Sequence, residues 1–148
     1  MKILFNNDLY AYVANNRDEL KNCLIENGID PQPNDIEDAA AQCLDDEYND
    51  LVSCLKEYDN KSNYDYILVC GSLGLWRGRR QVKAKIKSLY DAFTKCCGYD
   101  SYMLYFDKVN NTLQIKCYHH DGCNEYKIYS VKNNKKTAIK LNDLLACY

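Results

Sequence analysis

The sequence predicts an α+β fold in which N-terminal helices pack on one face of a mainly antiparallel sheet that ends in a C-terminal meander. Three observations support it: helical periodicity over the first sixty residues, a continuous apolar run near residue 68, and alternating strands between hairpin signals after residue 100. A chain of 148 residues can bury its own core. We therefore predict one domain over 1–148, with a helical part at 1–60 and a sheet-forming part at 61–148.

Two helices are predicted in the first part. Asn16 can cap "NRDELKNCLIENG", Glu19 takes the capping-box position, and Gly28 marks the end of this helix. After the breaker "DPQPN", Asn34 can cap a longer helix whose apolar residues keep helical spacing as far as Tyr58.

The opposite face of the second helix is densely acidic. Residues 1–60 hold four basic and fourteen acidic side chains, whereas 61–148 hold fifteen basic and seven acidic ones, so the net charge of −2 hides a strong asymmetry. Such polarity indicates either charge pairing between the halves or a face for a charged partner. The candidate binding residues on this helix are Asp38, Asp45, Asp46 and Glu47.

The second part reads mainly as strands. "YDYILVCGSL" is predicted to be a central strand, and "VKAKIK" fits either a strand or a helix. Ser88 and Asp91 then open a helix that stops at Gly98. A meander of "SYMLYFD", "TLQIKCYHH" and "CNEYKIYSV" follows, with "NN" and "DG" as turn signals, and "LNDLLACY" suits a short terminal helix.

The stretch "IKCYHHDGCNEYKI" concentrates histidine, cysteine and aspartate in fourteen positions. If Asp121 and Gly122 form a two-residue loop, His119 lies opposite Asn124 and His120 lies opposite Cys123. Alternation then places His119 and Asn124 on the core face and His120 and Cys123 on the solvent face.

This hairpin has three readings. A structural zinc needs four converging ligands, but the hairpin divides its candidate ligands between two faces. No second C-x-x-C pair supports a zinc site. We therefore predict no cofactor and keep zinc as an alternative. Catalysis by His119 or His120 with Asp121 is a second possibility, although no established catalytic motif is present. The third is a tight turn with an ordinary, hydrogen-bonded His119.

A basic segment follows the only tryptophan, Trp76. Six basic side chains and no acidic one lie between positions 77 and 87: Arg77, Arg79, Arg80, Lys83, Lys85 and Lys87. Arginine beside tryptophan suits phosphate or carboxylate recognition, or a protein interface. Alternatively, Trp76 is a core residue and the bases pair with the acidic helix. The pI near 5.7 weakens nucleic-acid binding as the sole function.

The nine cysteines are odd in number and scattered through apolar patterns, which indicates reduced thiols. Neither a membrane span nor a signal peptide is visible, so we expect a cytoplasmic protein without a membrane partner.

The segments "GSLGLWRGRR" and "HHDGCN" resemble a pair of signatures, G-[ST]-L-G-L-W-x-G-[RK] and H-H-D-G-x-N, in small proteins of Firmicutes phages, plasmids and integrated elements. The matching positions are Gly71, Leu73, Gly74, Leu75, Trp76, Gly78, Arg79, His119, His120, Asp121, Gly122 and Asn124. Cys123 departs from the pattern, where a small hydroxyl residue is expected. The resemblance implies an accessory protein of a mobile element, a setting in which small proteins often disable host defence, as anti-CRISPR proteins do.

The leading hypothesis is therefore stoichiometric, non-enzymatic binding to a host defence protein or ribonucleoprotein such as a CRISPR effector. The acidic helix would form one surface, and Trp76–Arg80 with His119–Asn124 a second. One alternative is a phosphate-handling module or hydrolase in which Arg77, Arg79 or Arg80 holds the phosphate. Another is nucleic-acid binding through 77–87.

Overall fold

The structure is a computed structural model that describes residues 1–72, 81–96, 101–119 and 122–148. These ranges contain four helices and a seven-stranded sheet, so the predicted α+β class is confirmed. In chain order the elements are β1 Lys2–Asn6, α1 Leu9–Glu26, α2 Pro33–Lys61, β2 Tyr66–Ser72, β3 Gln81–Ile86, α3 Leu89–Cys96, β4 Ser101–Asp107, β5 Thr112–His119, β6 Gly122–Lys132, β7 Lys135–Ala138 and α4 Leu141–Leu145.

The sheet is antiparallel at every pairing, in the order β1-β4-β5-β6-β2-β3, and β7 also pairs with β6. Strand β2 was predicted to be central; it is paired on both sides, by β6 and β3, but it lies next to the edge strand β3. The ambiguous "VKAKIK" segment belongs to β3. Strand β7 was not predicted; it follows Asn133 and Asn134, whose φ angles of 52° and 63° suit the two-residue loop between Lys132 and Lys135.

The chain divides into two compact units: Asn7–Asp50, which we call the helical unit, and Met1–Asn6 with Leu51–Tyr148, which we call the sheet unit. The division falls within α2. It also separates charge, because the helical unit holds two basic and twelve acidic side chains whereas the sheet unit holds seventeen and nine. The expectation of a single domain stays a prediction.

Helix α1 begins before the predicted cap. Its N-cap is Asp8, whose carboxylate accepts a hydrogen bond from the Ala11 amide at 3.2 Å. Asn16 lies inside the helix, so the prediction that it caps the helix was wrong. It does mark an irregularity, because it has non-helical φ and ψ and its side-chain amide donates to the Tyr12 carbonyl at 2.9 Å.

The end of α1 is as predicted. Gly28 adopts φ +77°, and its amide donates to the Ile25 carbonyl while the Ile29 amide donates to the Leu24 carbonyl. These two bonds form a Schellman motif, in which a residue with positive φ satisfies the last carbonyl groups of a helix.

Helix α2 begins at Pro33, so Asn34 lies inside the helix and the prediction that it caps the helix was wrong. The backbone N–H of the first helical residue has no acceptor within the helix. Proline suits this position because it has no backbone N–H. Asp35 reaches back and accepts a hydrogen bond from the Gln32 amide at 3.1 Å. Within the helical unit α1 and α2 share a core of Val13, Leu20, Ile36 and Ala40.

One face of the sheet is fully buried. Leu104 on β4 lies opposite Ile115 on β5, and both side chains are inaccessible to solvent. Helix α3 covers this face: the Phe93 ring meets the Tyr102 ring edge to face at 5.9 Å, and the Cys117 thiol donates to the carbonyl of Cys96.

The C-terminal part of α2 is held against α3 by the carboxylate of Asp59. Its two oxygens accept hydrogen bonds from the Leu89 amide at 2.8 Å and the Tyr90 amide at 3.1 Å, and the Tyr64 hydroxyl donates to it as well. Ser88 completes the cap, because its hydroxyl accepts from the Asp91 amide at 3.0 Å, as the sequence predicted. Burial and the neighbouring carboxylate raise the pKa of Tyr64, which keeps its hydroxyl protonated.

No helix in the described part of the chain is both long and apolar enough to cross a membrane.

We expect Asp59→Ala to lower the free energy of unfolding of the sheet unit by about 1–3 kcal/mol, because it leaves two helix amides and a partly buried hydroxyl without their acceptor. The measurement is urea denaturation followed by circular dichroism. Asp45→Ala is the control, since Asp45 is exposed on α2 and should change stability by less than about 0.5 kcal/mol. Equal stability of the two variants would contradict this role for Asp59.

Candidate functional site

Strand directions bring the flanks of the two signature segments to one end of the sheet. Strand β2 runs towards Ser72 and pairs with residues 126–131 of β6, so that Gly71 lies opposite Tyr126. Strand β5 runs towards His119, which lies opposite Gly122 at the start of β6. We call this the signature end of the sheet. The sequence had left open whether the two segments lie at one end or at opposite ends.

Several predicted site residues fall on segments outside the described ranges. Trp76, Arg77, Arg79 and Arg80 belong to 73–80, and His120 and Asp121 form the gap between β5 and β6. The side chain of His119 is likewise outside the described part. The roles predicted for these residues, including the phosphate-handling alternative, stay predictions.

The register of the β5–β6 hairpin differs from the predicted one by two positions. His119 pairs with Gly122 and Cys117 with Asn124, so residues 120 and 121 connect the strands where Asp121 and Gly122 were expected to do so. A shift of two leaves every side chain on its predicted face, because alternation has a period of two. Cys117 and Asn124 therefore do lie on the core face.

Asn124 is an internal residue, with 3% of its surface exposed. Its side-chain amide donates to the Tyr126 hydroxyl at 3.3 Å, and its side-chain oxygen has no hydrogen-bond partner among the residues that the structure describes. Its proposed contribution to a binding surface would therefore be indirect, through the arrangement of the signature end.

Gly71, the first residue of the first signature, packs directly beneath an aromatic ring. A Cβ atom at this position would lie 2.2 Å from Cδ1 of Tyr126, far inside van der Waals contact. The position therefore excludes any larger side chain. Tyr126 also bonds to Asn124 of the second signature, so the two signatures are in physical contact through Tyr126.

Two thiols near this end, those of Cys96 and Cys117, are internal and protonated. Burial raises the pKa of Cys96 to about 11 and that of Cys117 to about 12. Cys123 immediately precedes Asn124, which pairs with Cys117, so Cys123 and Cys117 lie on opposite faces of the sheet and cannot share one ion. Within the described ranges no three histidine, cysteine or acidic side chains converge as metal ligands.

The predicted acidic surface lies on the helical unit. Asp38, Asp45, Asp46 and Glu47 are all exposed on α2, as a binding surface requires. They belong to a set of seven carboxylates between residues 35 and 50, a stretch without a basic residue. Partial burial, followed by repulsion from Asp50, raises the pKa of Glu47.

The alternative in which basic residues neutralise this helix gains no support from the described side chains. Their ion pairs are Lys61 with Glu57 at 2.7 Å and Lys116 with Glu125 at 3.4 Å, and neither involves residues 35–50. Among the hydrogen bonds, Asp46 accepts from the neutral amide of Gln42 at 3.1 Å. Arg77, Arg79 and Arg80, which this alternative also invokes, lie outside the described ranges, so the alternative stays a prediction.

Comparison with known proteins gave no match to a family model, a curated protein or a solved structure.

We expect Gly71→Ala to destabilise the sheet unit by about 1–3 kcal/mol, because the new methyl group must displace the Tyr126 ring or the backbone. In the double variant Gly71→Ala/Tyr126→Leu the cost of Gly71→Ala should fall, since the smaller side chain leaves room. Thermal unfolding of the four proteins in this cycle measures the coupling. Strictly additive losses would show that the ring is not what excludes a side chain at position 71.

We expect iodoacetamide at pH 8 to modify Cys23 well before Cys96 and Cys117, because Cys23 is exposed whereas the other two are buried with pKa values near 11 and 12. Peptide mass spectrometry over a time course gives the order, and addition of urea should expose the slow pair. Rapid labelling of Cys117 in folded protein would contradict its internal position.

Proposed function

We propose that this protein is a stoichiometric inhibitor of a host nucleic-acid-targeting defence complex, such as a CRISPR effector, and that α2 occupies the effector's nucleic-acid channel. The observation that carries the proposal is the density of exposed carboxylates on α2, in a stretch that holds no basic residue.

The charge spacing on α2 matches that of a nucleic-acid strand. Sixteen helical residues span about 24 Å at about 1.5 Å per residue. Seven carboxylates over that length give about one charge per 3.4 Å, which is the spacing along one strand of B-DNA. A cationic channel that binds phosphates would therefore meet a similar linear charge density on this helix.

The helix also presents these charges on a rigid support. Ile36, Ala40 and Leu44 are buried along one side of α2, and this packing fixes its orientation within the helical unit. Carboxylates held in place before binding lose less conformational freedom on association than carboxylates on a flexible tail would.

The resemblance of "GSLGLWRGRR" and "HHDGCN" to proteins of mobile elements supports the biological setting of the proposal. A second contact surface at the signature end is supported by the strands that flank the two segments, since β2 and β5 both pair with β6 and both run towards this end.

The test is expression of the protein in cells whose CRISPR system carries a guide against an infecting phage, with plaque counts as readout. We expect the protein to restore plating by several orders of magnitude, and Asp38→Asn/Asp45→Asn/Asp46→Asn to abolish this effect. The purified effector–guide complex should be captured by the original protein, and target DNA should compete with it.

The matched control is Asp18→Asn/Glu19→Gln/Glu26→Gln, which removes three exposed charges from α1 in the same unit. It should leave protection intact. Unchanged plating together with no capture of an effector complex, across the main effector types, would overturn the proposal. Equal losses in both triple variants would show that net charge matters, but not α2.

A further inference from the structure

A second charged surface, of opposite sign, lies on the face of the sheet that α3 does not cover. Four exposed lysines and two half-buried tyrosines make up what we call the lysine–tyrosine face: Lys83, Lys85, Lys127, Lys136, Tyr66 and Tyr129. We propose that this face binds single-stranded nucleic acid, with the lysines on phosphates and the tyrosine rings against bases. The inference does not depend on the inhibitor function.

The sheet register assembles this face from distant parts of the chain. Cys70 on β2 lies between Lys83 on β3 and Lys127 on β6. One step along the strand, Leu68 lies between Lys85 and Tyr129. Directly opposed residues share a face, so strands β3, β2 and β6 carry these side chains on the same side.

An ammonium group lies over each tyrosine ring. Lys85 Nζ lies 5.1 Å from the centre of the Tyr66 ring, and Lys136 Nζ lies 4.3 Å from the centre of the Tyr129 ring. A single strand needs this pairing of functions, because its bases stack on aromatic rings while its adjacent phosphates attract cations.

The dimensions suit an extended strand. Lysines two residues apart on β3 are separated by about 7 Å, and two strand intervals place Lys83 about 10 Å from Lys127. The four ammonium groups therefore surround a short strip of Tyr66, Leu68, Cys70 and Tyr129, which is half-buried and largely apolar.

The same face changes character beyond Lys127 on β6 and on strands β5 and β4, which limits the extent of the surface. Glu125 on β6 forms an ion pair with Lys116 on β5. Further along, Tyr105 donates to Gln114 at 2.8 Å, and both are buried. No carboxylate belongs to the lysine–tyrosine face itself, so its charge is uniformly positive.

Two features favour single strands over other anions. Tyrosine rings on a sheet face contact unstacked bases, which a duplex hides within its base pairs. An acidic protein would use the lysines but would gain nothing specific from the rings. The lysines on β3 also shield an edge strand from aggregation, but that role explains neither Lys127 nor the rings.

The test is fluorescence anisotropy of labelled oligo-dT and oligo-rU fifteen nucleotides long, titrated with the full-length protein at several salt concentrations. Four phosphate contacts predict a slope of about −2.8 for log K against log[salt]. Lys83→Gln/Lys85→Gln should reduce its size by about 1.4, which corresponds to about 25-fold weaker binding at 0.1 M salt.

The matched control is Lys95→Gln/Lys108→Gln, which removes two exposed lysines of the sheet unit that lie on α3 and in the β4–β5 turn. It should bind as the original protein does. Tyr66→Leu/Tyr129→Leu should weaken binding at least about fivefold while leaving the salt slope unchanged, because stacking releases no counterions. Circular dichroism establishes that each variant is folded.

Four outcomes would overturn the proposal. They are binding that does not respond to salt, equal losses in the two lysine variants, competition by polyglutamate as effective as competition by oligo-dT, and a loss confined to Arg79→Gln/Arg80→Gln. The last would transfer nucleic-acid binding to the segment after Trp76. Because none of these measurements involves a defence complex, failure here is independent of failure of the inhibitor proposal.

Discussion

The carboxylate of Asp59 organises the helices of the sheet unit. A single side chain from α2 accepts the first two amides of α3 and the hydroxyl of Tyr64, which precedes β2. Earlier in α2, the thiol of Cys54 donates a hydrogen bond to the carbonyl of Leu144 at 3.4 Å, and this bond joins α4 to the same helix. Helices α3 and α4 are thus joined to α2 by hydrogen bonds, which fix the orientation of each helix as well as its distance from α2.

The distribution of charge follows the division of the chain into units. The helical unit carries a net charge of −10 and the sheet unit +8, so an overall charge near zero conceals two strongly charged bodies. The acidic character is densest at residues 35–50 of α2, and the positive character is most uniform on the lysine–tyrosine face. A protein with this distribution can present each sign to a different partner, which average charge and pI do not reveal.

Much of the fold could be predicted from periodicity and capping. The α+β class, the interior position of β2, the Ser88 cap and the faces of β5 and β6 followed from local patterns. The hairpin register did not, because a shift of two residues preserves alternation. The start of α1 was missed because Tyr10 is exposed and the first turns of the helix have a weak apolar pattern.

The sequence could likewise predict one of the two candidate surfaces but not the other. Exposed acids on one helix follow from 3.6-residue spacing, so Asp38 and Asp45 could be identified in advance. The lysine–tyrosine face could not, because Lys85 and Tyr129 become neighbours only through strand pairing across forty intervening residues. Side-chain proximity across a sheet depends on register, and register depends on tertiary structure.

Gly71 bears on how the signature should be interpreted in other sequences. Its invariance within such a pattern would be expected from steric exclusion by the Tyr126 ring, whatever the protein does. A chain that shares this glycine together with a tyrosine on the paired strand would then share a packing arrangement. Shared activity would need separate evidence from residues that reach solvent. A position that accepts only glycine can be retained for packing without contacting any partner.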